Sequence, residues 1–154
     1  MQKIVCLKTT YIDYNFIVWR YQVMKDPALK FLVVEDSPSL AILYKTVLEA
    51  KGHQVTVTHN GKEELEVYEK ELKYNSGKIP FDLVISDNSM PEISGIVAGR
   101  KILSMAPKQK FFFVTGEKDA VLKSFHVDGK NIDVEQKPIS TELFIKKVEL
   151  ITQN

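Results

Sequence analysis

The sequence predicts an α/β fold, a doubly wound sheet of five parallel strands with helices on both faces. Three observations carry that prediction. From residue 30 onward, short apolar runs alternate with amphipathic stretches, the pattern of a repeated strand–helix unit. Three of the apolar runs are continuous enough for strands covered on both faces. Turn and cap residues separate the two kinds of segment at nearly every junction.

Residues 31–34, Phe-Leu-Val-Val, read as the first strand, which ends in Glu35-Asp36. Ser37 is placed to cap a helix with Pro38 at its first position. Leu40, Leu43, Tyr44, Val47 and Leu48 then recur at helical spacing, and Gly52 stops the run. Residues 54–58 form a second strand, and Asn60-Gly61 reads as a turn. Leu65, Tyr68 and Leu72 mark a charged amphipathic helix that Asn75-Ser76-Gly77 ends. Residues 81–86 are the third strand, running into Asp87. A loop with Pro91 and Gly95 leads to a helix over residues 96–105. Residues 111–114 are the fourth strand, ending at Thr115-Gly116, and a helix over 118–125 follows. Residues 132–136 are a weaker fifth strand, ending at Lys137-Pro138. The last helix carries Leu143, Phe144, Val148 and Ile151 on one side.

Composition narrows the function. The chain has 154 residues, 44% hydrophobic and 27% charged, which suits one globular domain able to bury a core without disulfides. A net charge of +1 gives no reason to expect direct nucleic-acid binding. The single cysteine, Cys6, excludes an intramolecular disulfide and suits a reducing compartment. The apolar runs are too short for membrane insertion, and the start, interrupted by Lys8, Asp13 and Asn15, makes a poor signal peptide. A cytoplasmic protein is expected. Residues 1–28 stand apart as an N-terminal extension. With Tyr11, Tyr14, Phe16, Trp19 and Tyr21 they are too apolar for a typical disordered tail. Either they pack on the domain or on a second subunit of a homodimer, or Met24 is the natural start.

In a sheet of this kind the site lies beyond the carboxyl ends of the strands. Glu35 and Asp36, Asp87, Thr115 and Lys137 sit at four of those ends. Any one of them has an ordinary explanation as a cap, turn former or solvated charge; their convergence on one sheet edge does not. Three carboxylates held close repel unless a cation joins them. A hard divalent ion such as Mg2+ takes one or two carboxylates and completes its shell with waters and phosphate oxygens. Phosphoryl transfer requires that charge neutralisation and an in-line nucleophile. Asp87 suits the nucleophile, Mg2+ and Lys137 the cations, and Thr115 a hydroxyl donor; attack by a carboxylate gives an aspartyl phosphate.

On these residues the chain resembles the receiver domain of two-component response regulators. The matching stretches are Phe31 to Asp36, Asp87-Asn88-Ser89-Met90-Pro91 with Gly95, Val114-Thr115-Gly116 and Lys137-Pro138. The resemblance assigns residues 29–154 to the receiver and implies a flavodoxin-like sheet in the order 2-1-3-4-5. It implies that Asp87 is the phosphoacceptor and that Asp36 binds Mg2+ directly. Glu35 would help directly or through water, and the Ser89 carbonyl would be a further ligand. Lys137 would pair with the phosphoryl group, and Thr115 would move toward it. The donor would be a sensor histidine kinase or a phosphotransfer protein, and the switched face would bind a downstream target protein in a phosphorelay. Such a domain is a signalling switch, with self-catalysed phosphoryl transfer and dephosphorylation as its only chemistry. After Lys137-Pro138 there is room for one helix before Asn154, so the chain is expected to be a stand-alone receiver of the chemotaxis type or a piece of a larger regulator.

The pattern departs from the family in three places. Glu35 stands where Asp is commoner. Val134 stands where many members carry a switching Tyr or Phe. The stretch from Tyr74 to Pro80 is slightly long. Competing functions fit less well. A pseudo-receiver scaffold would not need Asp36, Asp87, Thr115 and Lys137 together. An aspartate-dependent phosphatase wants an acid two residues past its nucleophile, where Ser89 stands. A flavin site wants a Ser/Thr/Gly-rich phosphate loop, and Glu35-Asp36-Ser37-Pro38 has the wrong charge.

Overall fold

The computed structural model describes residues 27–125 and 131–153. Strands β1 (Lys30–Val34), β2 (Gln54–Thr58), β3 (Leu83–Ser86), β4 (Phe111–Thr115) and β5 (Ile132–Gln136) alternate with helices α1 (Pro38–Glu49), α2 (Gly61–Tyr74), α3 (Gly95–Met105), α4 (Lys118–Ser124) and α5 (Thr141–Gln153). All strand pairs are parallel, in the order β2-β1-β3-β4-β5. Both expectations, the doubly wound parallel sheet and its strand order, hold.

The side-chain alternation of the central strands explains the layering. Leu32, Val34, Val84, Phe111 and Phe113 point to one face and pack with Leu65 and Tyr68 of α2, Ala98 and Ile102 of α3 and Val121 of α4. Phe31, Val33, Leu83, Ile85, Phe112 and Val114 point to the other and pack with Tyr44 and Leu48 of α1 and Phe144 and Val148 of α5. Strands β1, β3 and β4 are therefore buried almost throughout, whereas β2 and β5 at the edges are only partly buried. Burying one large apolar side chain contributes roughly 1.5–3 kcal/mol, so β4 alone, with three buried Phe rings, anchors the sheet centre. Among the described residues no helix is long and apolar enough to cross a membrane.

Three local expectations need correction. Phe81 and Asp82 lie outside β3, because Asp82 bridges to β1 instead: its carboxylate accepts from Lys30 N at 2.7 Å and its N–H donates to the Lys30 carbonyl at 2.8 Å. Asn60-Gly61 is the start of α2, not a separate turn. Asn60 is the N-cap and accepts from Glu63 N at 2.9 Å, while the Glu63 carboxylate reaches back to His59 N at 2.9 Å, a variant of the capping box. Ser37 is at the cap position of α1 with Pro38 following, but its side chain makes no capping bond. Its backbone N–H serves the site instead. The expectations for residues 1–26 lie outside the described residues.

Candidate functional site

Backbone pairing carries each acid just past its strand. Glu35 N donates to the Thr58 carbonyl at 3.1 Å, Asp87 N to the Val34 carbonyl at 3.0 Å and Lys137 N to the Thr115 carbonyl at 2.9 Å. The ladder thus extends one residue beyond β1, β3 and β5 and fixes where those side chains start. One ligand oxygen from each of Glu35, Asp36 and Asp87 lies within 4.8 Å of the others. The Lys137 ammonium reaches between the strands and donates to Glu35 Oε2 and Asp87 Oδ2, each at 2.7 Å. Ser37 N donates to Glu35 Oε1 and Ser89 N to Asp87 Oδ1, both at 3.2 Å.

The exposures differ in a way that matters. Glu35 is 2% exposed and Asp87 6%, while Asp36 is open to solvent at the mouth of the site. Burial pushes the Glu35 carboxyl up, against the pull of the Lys137 ammonium and the Ser37 N–H. Burial also works against the charge on Lys137, but its hydrogen bonds to Asp87 and Glu35 outweigh burial, and its pKa is raised. Lys137 is therefore held as a cation. One ammonium against three carboxylates leaves the cluster negative, with its most exposed acid free of any hydrogen bond or ion pair to the described residues. That donor set, all oxygen and under-neutralised, fits a hard divalent cation.

The sequence-predicted residues thus come together, with one qualification. Thr115 is wholly buried at the end of β4, and Ser86 pairs with Phe113, so Thr115 lies one strand over and two residues along. Its Oγ1 accepts from Glu117 N at 3.2 Å and makes no bond to Asp87. Ser89 engages Asp87 through its backbone N–H.

Sequence reasoning missed Asn88 and Glu117 and gave Gly95 no reason. Asn88 Nδ2 donates to Glu117 Oε2, and Asn88 Oδ1 accepts from Ile96 N at 3.0 Å. Asn88 and Glu117 are 29 residues apart in sequence, so no local spacing announces the pair. Gly95 is required by packing: a Cβ there would lie 2.1 Å from the Asp87 carbonyl oxygen. That close approach seats the first turn of α3 directly against the residue that carries the central carboxylate.

Comparison with known proteins agrees with this geometry. The family model described as response regulator receiver domain matches residues 31–149. The chain is 27% identical to the response regulator receiver protein CpdR of Brucella abortus, over 78% of this chain and 93% of that one. It is 26% identical to the chemotaxis protein CheY of Thermotoga maritima, over 80% of this chain and 98% of that one. The structure of the non-phosphorylated HemR receiver domain from Leptospira biflexa superposes with a TM-score of 0.70 at 22% identity, covering 82% of this chain and 95% of that one, a likeness of fold. The match to the family model, on the sheet order and the strand-end cluster already described, makes this chain a member of the response regulator receiver domain family, the signalling receivers of two-component systems.

Proposed function

We propose that Asp87 accepts a phosphoryl group from a phosphohistidine of a histidine kinase or phosphotransfer protein, in a Mg2+-dependent reaction. The modified chain then changes its binding to a downstream target protein. The observation that carries this reading is the position of Lys137. Its ammonium is 2.7 Å from Asp87 Oδ2 and 2.7 Å from Glu35 Oε2, ready to follow negative charge that builds on a group attached to Asp87.

In the transfer, an Asp87 carboxylate oxygen forms the new P–O bond while the P–N bond to the donor imidazole breaks. The imidazole nitrogen keeps that electron pair. Hydrolysis later transfers the phosphoryl group to water and restores the carboxylate. Glu35, Asp36 and Asp87, with the Ser89 carbonyl, are the groups that would hold Mg2+, which when bound neutralises the phosphoryl oxygens. Asp36 suits the role of direct ligand because it is exposed and unengaged. Glu35 is buried and already bonded to Lys137 and to Ser37 N. Lys137 exchanges part of its contact with Glu35 for the phosphoryl group, and Thr115 offers it a hydroxyl. We take residues 29–154 as the working receiver and the cytoplasm, which suits the lone Cys6, as its compartment.

The test is intact mass after incubation with acetyl phosphate. With Mg2+ the protein gains one phosphoryl group, and with a chelator it gains none. Asp87→Asn, nearly isosteric, folds as the parent does and stays unmodified in both. An equal gain by the Asn variant would move the acceptor elsewhere.

A further inference from the structure

The loop between β4 and α4 is tied down on both sides. On the β5 side, Gln136 Nε2 donates to the Gly116 carbonyl at 2.9 Å and Gln136 Oε1 accepts from Lys118 N at 3.3 Å. On the β3 side, the Glu117 carboxylate accepts from Asn88 Nδ2. Asn88 cannot follow the loop if the loop moves. It is buried, its Oδ1 holds Ile96 N, and its carbonyl accepts from Met90 N at 3.0 Å and Gly95 N at 3.2 Å. Glu117 in turn is joined to Thr115, because its N–H donates to Thr115 Oγ1.

We infer that Asn88 and Glu117 form a latch that holds the β4–α4 loop, and with it the Thr115 hydroxyl, in the resting position. The two act as positioning residues: they set how readily the site admits a phosphoryl group on Asp87, without touching it. The inference rests on the phosphoacceptor reading of Asp87. When Thr115 turns to a phosphoryl oxygen, Glu117 moves with it and the bond to the fixed Asn88 is lost. A resting state held by one charge-assisted hydrogen bond is favoured by roughly tenfold over the same state without it. Removing the latch leaves that preference out, and any ligand selective for the switched state then binds more tightly.

The experiment is titration of the full chain with beryllofluoride, a phosphoryl mimic, at saturating Mg2+, together with amide hydrogen exchange in the ligand-free protein. Glu117→Ala tightens beryllofluoride binding by roughly tenfold and speeds exchange at the amides of residues 117 and 118. Asn88→Ala does the same, and the double variant adds little to either. Glu117→Gln keeps an oxygen that accepts from Asn88, in a weaker bond without the charge, and tightens binding by clearly less than Glu117→Ala. If Glu117→Gln tightens binding as much as Glu117→Ala, the effect is removal of a charge beside an anion site and the latch is overturned. If Asn88→Ala does not fold, the two Glu117 variants still decide. A parent that binds no beryllofluoride overturns the phosphoacceptor reading first, and the latch with it; a parent that binds it, with all variants unchanged, overturns the latch alone.

Discussion

Glu64 lies wholly inside the protein, and neither of its carboxyl oxygens has a hydrogen-bond partner among the described residues. It faces the core from the first turns of α2, beside Leu65. An ionised carboxylate there would be costly, and burial pushes its pKa up to about 8 from an ordinary 4.5. The native protein therefore holds a proton that the unfolded chain releases near pH 4.5. The sign follows: Glu64 costs nothing extra below the unfolded value, and native stability falls as pH rises from about 4.5 through about 8, then levels. Glu64→Gln has no such proton to lose. Its stability relative to the parent should grow across that window at up to about 1.4 kcal/mol per pH unit. Urea unfolding of both proteins at pH 5, 7 and 9 measures it, and parallel pH dependences would show that Glu64 titrates normally. The contrast with Glu35 is instructive at this scale. Both are buried acids, but Glu35 has Lys137 and the Ser37 N–H as partners, whereas Glu64 has none among the described residues.

Two glycines decide how the helices meet the loop that follows Asp87. At Gly61, the first residue of α2, a Cβ would fall 2.3 Å from the Ile93 carbonyl oxygen, to which Gly61 N also donates at 3.2 Å. At Gly95, the first residue of α3, a Cβ would meet the Asp87 carbonyl oxygen at 2.1 Å and Asn88 Cα at 3.1 Å. In both cases the obstacle is backbone, which cannot swing aside as a long side chain does. The two helix starts therefore clamp the segment from Asp87 to Ile93 from either side. Gly95→Ala must push α3 away from the loop, at a cost of about 1–3 kcal/mol. It should also slow phosphorylation by acetyl phosphate, because the displaced segment carries Asp87 and Ser89. Thermal unfolding together with the mass assay checks this; full stability with a normal rate would mean that the loop yields without consequence. Helices and strands themselves were legible in the sequence. Apolar runs in β1, β3 and β4 and the helical spacing of Leu40 to Leu48 reflect burial, which local pattern records directly. The start of α2 was misjudged because Asn60-Gly61 is also a common turn pair, and only the Asn60 and Glu63 spacing marks it as a cap.

At the scale of the whole molecule, the parallel order β2-β1-β3-β4-β5 brings residues 102 positions apart into contact, as in the Lys137–Glu35 pair. The three acids and the cation of the cluster were legible because each follows a recognisable strand. The Asn88–Glu117 bond was not, because it joins two loops and depends on how far each bends. On the proposed phosphoacceptor reading of Asp87, the same topology sets the route by which phosphorylation would reach the far side of the sheet. Thr115 ends β4, its carbonyl accepts from Lys137 N, and the loop after it opens onto α4 and β5. Val134, in the middle of β5, is buried in the core with Phe113 and Val121. It is small and stiff at χ1, with no ring to swing into space that Thr115 vacates. We therefore expect a change at Asp87 to travel mainly through the backbone after Thr115, where Gly116 has no neighbour within 4 Å of a Cβ position among the described residues. On that reading phosphorylation shifts this equilibrium only by interacting differently with its two states, and the Thr115 hydroxyl is the group that would gain a charged acceptor. Thr115→Ala should still take a phosphoryl group on Asp87 but should no longer pass the change to α4 and β5. Val134→Ala should lose roughly 2 kcal/mol of packing and keep the coupling. Amide hydrogen exchange over residues 116–124 and 132–136, with and without beryllofluoride and Mg2+, reads both outcomes. In the parent and in Val134→Ala, exchange in these segments changes on binding. In Thr115→Ala, binding persists and the change stops at the acceptor loop; a parent-like response there would exclude Thr115 as the route.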